Sequence, residues 1–338
     1  TDPQNPDWIL ELAYSHTNLA ALPLESGKGI NEETLKHVAE ATILKELVMA
    51  LNPGDRAVAG SYANTLAWAA DAQYQACSLE EALKLRIRAK ELFESSARAD
   101  PGNYDLKRKY AFAVSGVASV QTVTGRLELA EQNLELAISI LQELSATDPS
   151  NIVYLEQEFY ERLMMAKLYA DTGRLESATS IMKRLESEFF PSAGMNDQGK
   201  MPRKYGVEFF LVLADIESQN GNLESAKKRL QAATQLQLRD PDSETRDIFD
   251  TQKLIQTRYQ LWELSGTDNF EGFPDLPVFG QTPVGIFRSC DESDSAARMY
   301  VIANEQENAS SEVEYLLARG YEDPGFMRFC RKHGLCKD

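Results

Sequence analysis

The residues best suited to chemistry gather near the C-terminal end, in Cys330-x2-His333-x2-Cys336, with Cys290 as a fourth donor. Zinc takes four thiolate or imidazole ligands in a tetrahedron, so this set has the composition of a metal site. On a helix, however, positions three apart are separated by about 300° of rotation and share a face only roughly, and Gly334 is placed to end such a helix before the third donor. The same cysteines can oxidise instead. A disulfide from Cys290 to Cys330 or Cys336 would staple the C-terminal tail of an exported chain. Free thiols are the third state. Cys77 stands apart, at a turn position that glycine holds elsewhere, and reads as a tolerated substitution rather than a reactive nucleophile. Four cysteines impose neither a disulfide scaffold nor a compartment; a periplasmic or other extracytoplasmic location and a cytoplasmic one both stand.

Catalytic chemistry finds few residue sets. The histidines are His16, His37 and His333, and there is no Gly-x-Ser-x-Gly elbow, phosphate-cradling glycine loop or His-Glu-x-x-His. Carboxylates are plentiful, with 52 Asp and Glu against 35 Lys and Arg, but on amphipathic helices such residues form the solvated face. The net charge of -17 repels phosphate backbones, so no nucleic-acid partner is expected. No apolar run reaches the roughly 18 residues of a membrane-crossing helix. The chain is therefore read as non-catalytic, with no cofactor. A start at Thr1 in place of methionine gives the expectation of a piece cut or processed from a longer protein, with any anchor or effector domain outside it.

The elements that must position any site are set by a repeat. Gly125-Arg126-Leu127-Glu128-Leu129-Ala130 returns 48 residues later as Gly173-Arg174-Leu175-Glu176-Ser177-Ala178 and again as Gly221-Asn222-Leu223-Glu224-Ser225-Ala226, with Cys77-Ser78-Leu79-Glu80-Glu81-Ala82 as an earlier copy. A fixed period of this size marks stacked supersecondary units. Asn52-Pro53, Asp100-Pro101 and Asp148-Pro149 keep the same spacing, and Asp240-Pro241 closes the series. Proline cannot continue the helix before it, so these are joints between units. Within a unit the glycine separates two helical runs, such as 104–124 and 127–146. Small residues recur at fixed places: Ala70, Ala118, Ala166 and Ala214 before the turn, Ala82, Ala130, Ala178 and Ala226 after it, then Ala89, Ala137, Leu185 and Ala233. Alanine rows let helix axes approach closely, so all three are expected in the core.

These residues resemble the tetratricopeptide repeat family in the intervals between Ala118, Gly125, Ala130 and Ala137, while Pro149 falls later than the family pattern requires. The family unit is about 34 residues, so each helix here is read as about one heptad longer, which leaves its apolar stripe facing nearly the same way. The resemblance implies an all-α, right-handed α-α superhelix of five hairpins over 1–240. The first is the least regular, with Leu22 and Thr34 in place of small residues and Gly29, Ala41 and Pro53 in register. A capping helix follows over 241–265, started by Ser243, and then an extended strap and short-helix module over 266–338. The polar segment 190–202 is expected to be a loop that replaces the first turns of a helix, and short helices are expected over 293–304, 310–319 and 324–333.

The resemblance further implies that first helices line the concave side, where Asn64, Asp71, Tyr74, Ser115, Ser119, Thr122, Tyr160, Lys167, Asp215 and Ser218 become the candidate peptide-binding residues. The paired Lys and Asn with which some members clamp a terminal carboxylate are not seen. The repeats followed by a short tail are also loosely similar to sensor or scaffold regions of bacterial membrane signalling proteins. The expected role is binding of a protein or peptide within a larger signalling protein; a small-molecule sensor is the alternative, and an enzyme the third. Either binding role is compatible with a homodimer.

Overall fold

The structure, a computed structural model, describes residues 5–25, 29–189, 203–238, 248–265 and 288–336. Every regular element among them is a helix: α1 (Pro6–Glu25), α2 (Glu32–Leu51), α3 (Arg56–Gln75), α4 (Leu79–Ala99), α5 (Tyr104–Val123), α6 (Leu127–Thr147), α7 (Ile152–Asp171), α8 (Leu175–Phe189), α9 (Arg203–Gln219), α10 (Leu223–Leu238), α11 (Ile248–Ser265), α12 (Cys290–Ile302), α13 (Gln306–Leu317) and α14 (Pro324–Lys332). None is long and apolar enough to cross a membrane. The expected loop at 190–202, the Ser243 cap and the strap lie outside the described residues.

The chain forms two compact units. The first holds the hairpins α1/α2, α3/α4 and α5/α6, with residues 288–290 and 319–321 against them. The second holds α7/α8 and α9/α10, with α11, α13, α14 and all but the first residue of α12.

Hairpin turns follow from one backbone requirement. Gly125, Gly173 and Gly221 sit at φ 68°, 77° and 80°, the left-handed region that only glycine enters without steric cost. The residue after each glycine donates back to a carbonyl five residues earlier, as from Arg126 N to Gln121 O at 2.9 Å and from Arg174 N to Tyr169 O at 2.7 Å, which satisfies a helix-end acceptor. Cys77 takes the same conformation at φ 56°. At the other joint, Asp55, Asn103 and Asn151 cap α3, α5 and α7 by accepting from Ala57, Leu106 and Val153 N at 2.8, 3.2 and 3.2 Å. The prolines break the chain, and these caps two residues later restart it.

The three rows of small residues are the core. All twelve positions are no more than 2% exposed. In the second unit Phe159, Leu163 and Met182 fill the space around Ala166 and Ala178, and Leu185 packs beside Phe189 and Phe209. α11 packs on α10 and α9, and Leu254, Ile255 and Tyr259 on it are buried.

Cysteine pairing departs from expectation. Cys77 is bonded to Cys290, and Cys330 to Cys336, so neither Cys290–Cys330 nor Cys290–Cys336 forms. The reason is local. α14 ends at Lys332, and Gly334 at φ 64° turns the chain so that Leu335 N reaches Cys330 O at 2.9 Å. That brings Cys336 to a Cα separation of 5.3 Å from Cys330, leaving Cys290 for Cys77. Cys77 is thus a structural crosslink and not a tolerated substitution. The zinc reading of Cys290, Cys330, His333 and Cys336 fails on the same grounds: the sulfurs are consumed, and His333 Nε2 lies 2.8 Å from Tyr259 Oη.

Candidate functional site

First-helix positions 48 residues apart fall into rows across the hairpins: Asn64, Phe112, Tyr160 and Glu208; Asp71, Ser119, Lys167 and Asp215; Tyr74, Thr122, Ala170 and Ser218. The candidate residues lie in these rows, apart from Ser115, but the two units use them differently.

In the first unit the face of α3 and α5 carries Asn64, Phe112 and Ser119, all exposed. Phe112 is 57% exposed, a large cost in unburied aromatic surface for a helix otherwise well packed. Ser119 and Thr122 turn their hydroxyls back onto Ser115 O (3.1 Å) and Ala118 O (3.0 Å), which leaves each hydroxyl oxygen able to accept. Asp71 accepts from Arg86 Nη2, a side chain arriving from the second helix α4. Ser115 is buried, and Tyr74 packs beside Leu83, Val117 and Val120, so these two support the face and do not open onto it.

In the second unit the corresponding residues already have partners. Tyr160 stacks at 5.2 Å from the ring of Tyr205, and burial with Glu161 and Glu208 nearby pushes its hydroxyl pKa upward. Lys167 Nζ is 2.7 Å from Asp171 Oδ2. Burial works against its charge, but Asp171 and Asp323 outweigh that and hold it protonated. Asp215 faces Arg328 of α14, whose Nη2 lies 2.9 and 3.0 Å from its two oxygens and 3.1 Å from Asp171 Oδ1; Nη1 donates to Ala170 O at 3.3 Å. Burial raises the Asp215 carboxyl and Arg328 opposes it. Asp323 caps α14 by accepting from Phe326 N at 3.0 Å, and Phe326, Phe329 and Cys330 bury the inner side of that helix. Tyr160, Lys167 and Asp215 are therefore engaged by the chain itself. Ser218 is half-buried.

Sequence reasoning missed Phe112, Arg86, Asp171 and Arg328. Phe112 was findable, because it shares a row with Asn64 and Tyr160. Arg86 was findable too, as the one charged residue at a position held by Leu134, Met182 and Leu230 in the other hairpins. Nothing local to Arg328 reveals that it reaches α7 and α9. Among the described residues no three His, Cys, Asp or Glu side chains converge as a metal site.

A second exposed surface lies on the first hairpin, where Trp8, Leu12, Leu19 and Leu22 of α1 and Ile43, Leu47 and Leu51 of α2 are each 46–66% exposed.

No family model and no curated protein matches the sequence. Solved structures do. A kinesin light chain from Podosopora anserina with nearly identical TPR-like repeats matches with a TM-score of 0.47 and 16% identity over 68% of this chain and 97% of its own. BtubC (BKLC) from P. vanneervenii matches at 0.49 and 13% over 84% and 89%. A tetratricopeptide repeat protein from Parabacteroides merdae matches at 0.42 and 12% over 96% and 99%.

Proposed function

We propose that this chain is a non-catalytic helical-repeat scaffold that holds a polypeptide segment on the first-helix face of its hairpins. One observation carries the reading. In the second unit that face already meets a helix, α14, through Arg328 set between Asp171 of α7 and Asp215 of α9. The matching face of α3 and α5 in the first unit offers an exposed aromatic, Phe112, beside the polar Asn64 and Ser119. Aromatic anchors flanked by small hydrogen-bonding groups suit an extended or helical peptide.

The test is an array of immobilised 15-residue peptides probed with the whole chain, with Phe112→Ala, and with Leu136→Ala on the second helix α6 as an exposed control. A subset of peptides should bind the whole chain and lose about tenfold in affinity with Phe112→Ala, while Leu136→Ala binds as the parent does. An unchanged pattern for Phe112→Ala, or equal losses in both variants, would remove the α3/α5 face from the reading.

A further inference from the structure

Four second-helix positions correspond across the hairpins, each four residues after the turn alanine. Three are apolar and buried: Leu134 at 4%, Met182 at 0% and Leu230 at 0% exposure. The fourth is Arg86. Its side chain, only 12% exposed, crosses over Gly116 of α5 to reach Asp71 of α3. A β-carbon at Gly116 would stand 3.0 Å from Arg86 Nη1 and 3.1 Å from its Cδ and Cζ, so even an alanine there would push the guanidinium aside by a few tenths of an ångström. The residues matching Gly116 elsewhere are Ala20, Trp68, Met164 and Val212. Two departures from the repeat thus coincide: a core position has become cationic, and its neighbour has given up a side chain to let it through.

Stability does not account for this pair. A part-buried ion pair costs desolvation, and apolar residues of similar volume are often as stabilising or more so; the other four hairpins have apolar residues there, Val38 in the first among them. What the pair provides is a polar feature on the α3/α5 face. Asp71 shares its row with Asp215, whose charge is met by Arg328 of the docked helix α14. In the first unit the carboxylate is neutralised from within, and Phe112 and Ser119 beside it remain exposed.

The ion pair uses Arg86 Nη2 and Asp71 Oδ1. Among the described residues, Arg86 Nη1 and Asp71 Oδ2 have no hydrogen-bond partner, and the Asp71 side chain is 42% exposed. A spare donor and a spare acceptor on one ion pair, neutral together, complement a group that also has one of each. A ligand carboxylate would meet Asp71, and a ligand cation would meet Arg86. An amide opposes neither.

We propose that Arg86 and Asp71 form a specificity site for a neutral amide of the bound polypeptide, supplied by an Asn or Gln side chain or by the main chain of an extended segment. The proposal rests on the peptide-binding reading above and refines it.

The experiment takes the array peptides whose binding depends on Phe112 and measures their affinity by fluorescence anisotropy for the whole chain and for Asp71→Ser/Arg86→Leu. That double variant installs the residues that Ser119 and Leu134 provide in the next hairpin. It should melt at the same temperature or higher and bind about tenfold more weakly, the scale of one or two lost hydrogen bonds. On each peptide, an Asn/Gln-to-Leu scan and an N-methyl scan separate the sources: sensitivity in the first identifies a side-chain carboxamide, and in the second a main-chain amide. Binding within twofold of the parent would overturn the site while leaving the peptide-binding reading intact. A sensitive position that prefers Glu or Arg to Gln would overturn the neutral-amide assignment. If no peptide depends on Phe112, both readings fall. Should the double variant not fold, Gly116→Ala decides, because it displaces only the flexible head of Arg86; it should weaken binding to a similar extent, and unchanged binding would overturn the site.

Discussion

Cys77 and Cys290 are covalently joined across 213 residues, with their Cα atoms 5.0 Å apart. The bond ties the turn of the second hairpin to the start of α12. Closing a loop this long removes much conformational freedom from the unfolded chain, a stabilisation of about 2–5 kcal/mol. Intact mass should fall short of the fully reduced value by four hydrogens. Cys77→Ser/Cys290→Ser should unfold at markedly lower denaturant concentration, and a reductant should lower the midpoint of the parent but not further lower that of the variant by a comparable amount. Coincident midpoints for parent and double variant would show that the crosslink does not constrain the fold.

Gly173 is held at φ 77° with open space where a β-carbon would go. Gly173→Ala therefore meets no clash, only the left-handed backbone, and should cost about 1–2 kcal/mol. Gly102, also unobstructed and without a positive φ, is the control, and Gly102→Ala should be neutral or slightly stabilising. Equal midpoints for the two in urea titrations would contradict a conformational origin for the repeated glycine. Cys77 accepts the same backbone strain, and the crosslink offsets it.

The repeat made the hairpins legible before any coordinates, because glycine, proline and alanine are read by backbone geometry and close packing, which act over a few residues. All three alanine rows are buried where expected, and α5 and α6 fall within one residue of their expected ends. Pairings between distant segments were not legible. Cys77–Cys290 and the contact of Arg328 with Asp171 and Asp215 depend on where a tail returns, which no local pattern encodes. The binding face was legible as a set of rows but not in its accessibility: Lys167 and Asp215 have the right register, yet Asp171 of the same helix holds the first and Arg328 of α14 the second. Arg86 stands outside the three small-residue rows, and an arginine threading past a glycine is visible only when both positions are compared with their counterparts.

Arg328 bridges two carboxylates and the last turn of α7, a task that needs a planar guanidinium with several donors. Arg328→Ala should cost about 2 kcal/mol, less than a fully buried pair would lose, since the side chain is 36% exposed. Arg328→Lys should recover only part of that, because an ammonium cannot span Asp171, Asp215 and Ala170 O together. Hydrogen exchange should rise first in α14 and in the last turn of α7. Uniform change across the second unit, or full rescue by lysine, would mean that the bridge does not hold α14 in place.

Lys45 is 2% exposed, with Nζ lying 4.2 Å over the ring of Tyr14 and 3.5 Å from Ser61 O. No carboxylate pairs with it among the described residues, and burial lowers its pKa to about 8 from 10.5. The unfolded chain therefore binds the proton more tightly than the folded one. Below about pH 8 both states are protonated and the full penalty of burying the charge is present. As pH rises through that value the folded form sheds its proton and the penalty fades, until it is gone near the unfolded pKa of 10.5. Stability contributed by this residue should thus increase from about pH 8 to 10.5, by roughly 3 kcal/mol. Lys45→Met should stabilise the first unit at pH 7 by a comparable amount and remove that part of the slope. Urea titrations of both proteins at pH 7, 8, 9 and 10 measure the difference directly, with other titrating groups cancelling between them. A difference that stays constant with pH would mean that Lys45 keeps its ordinary pKa, and that the Tyr14 ring and the Ser61 carbonyl compensate its charge in full.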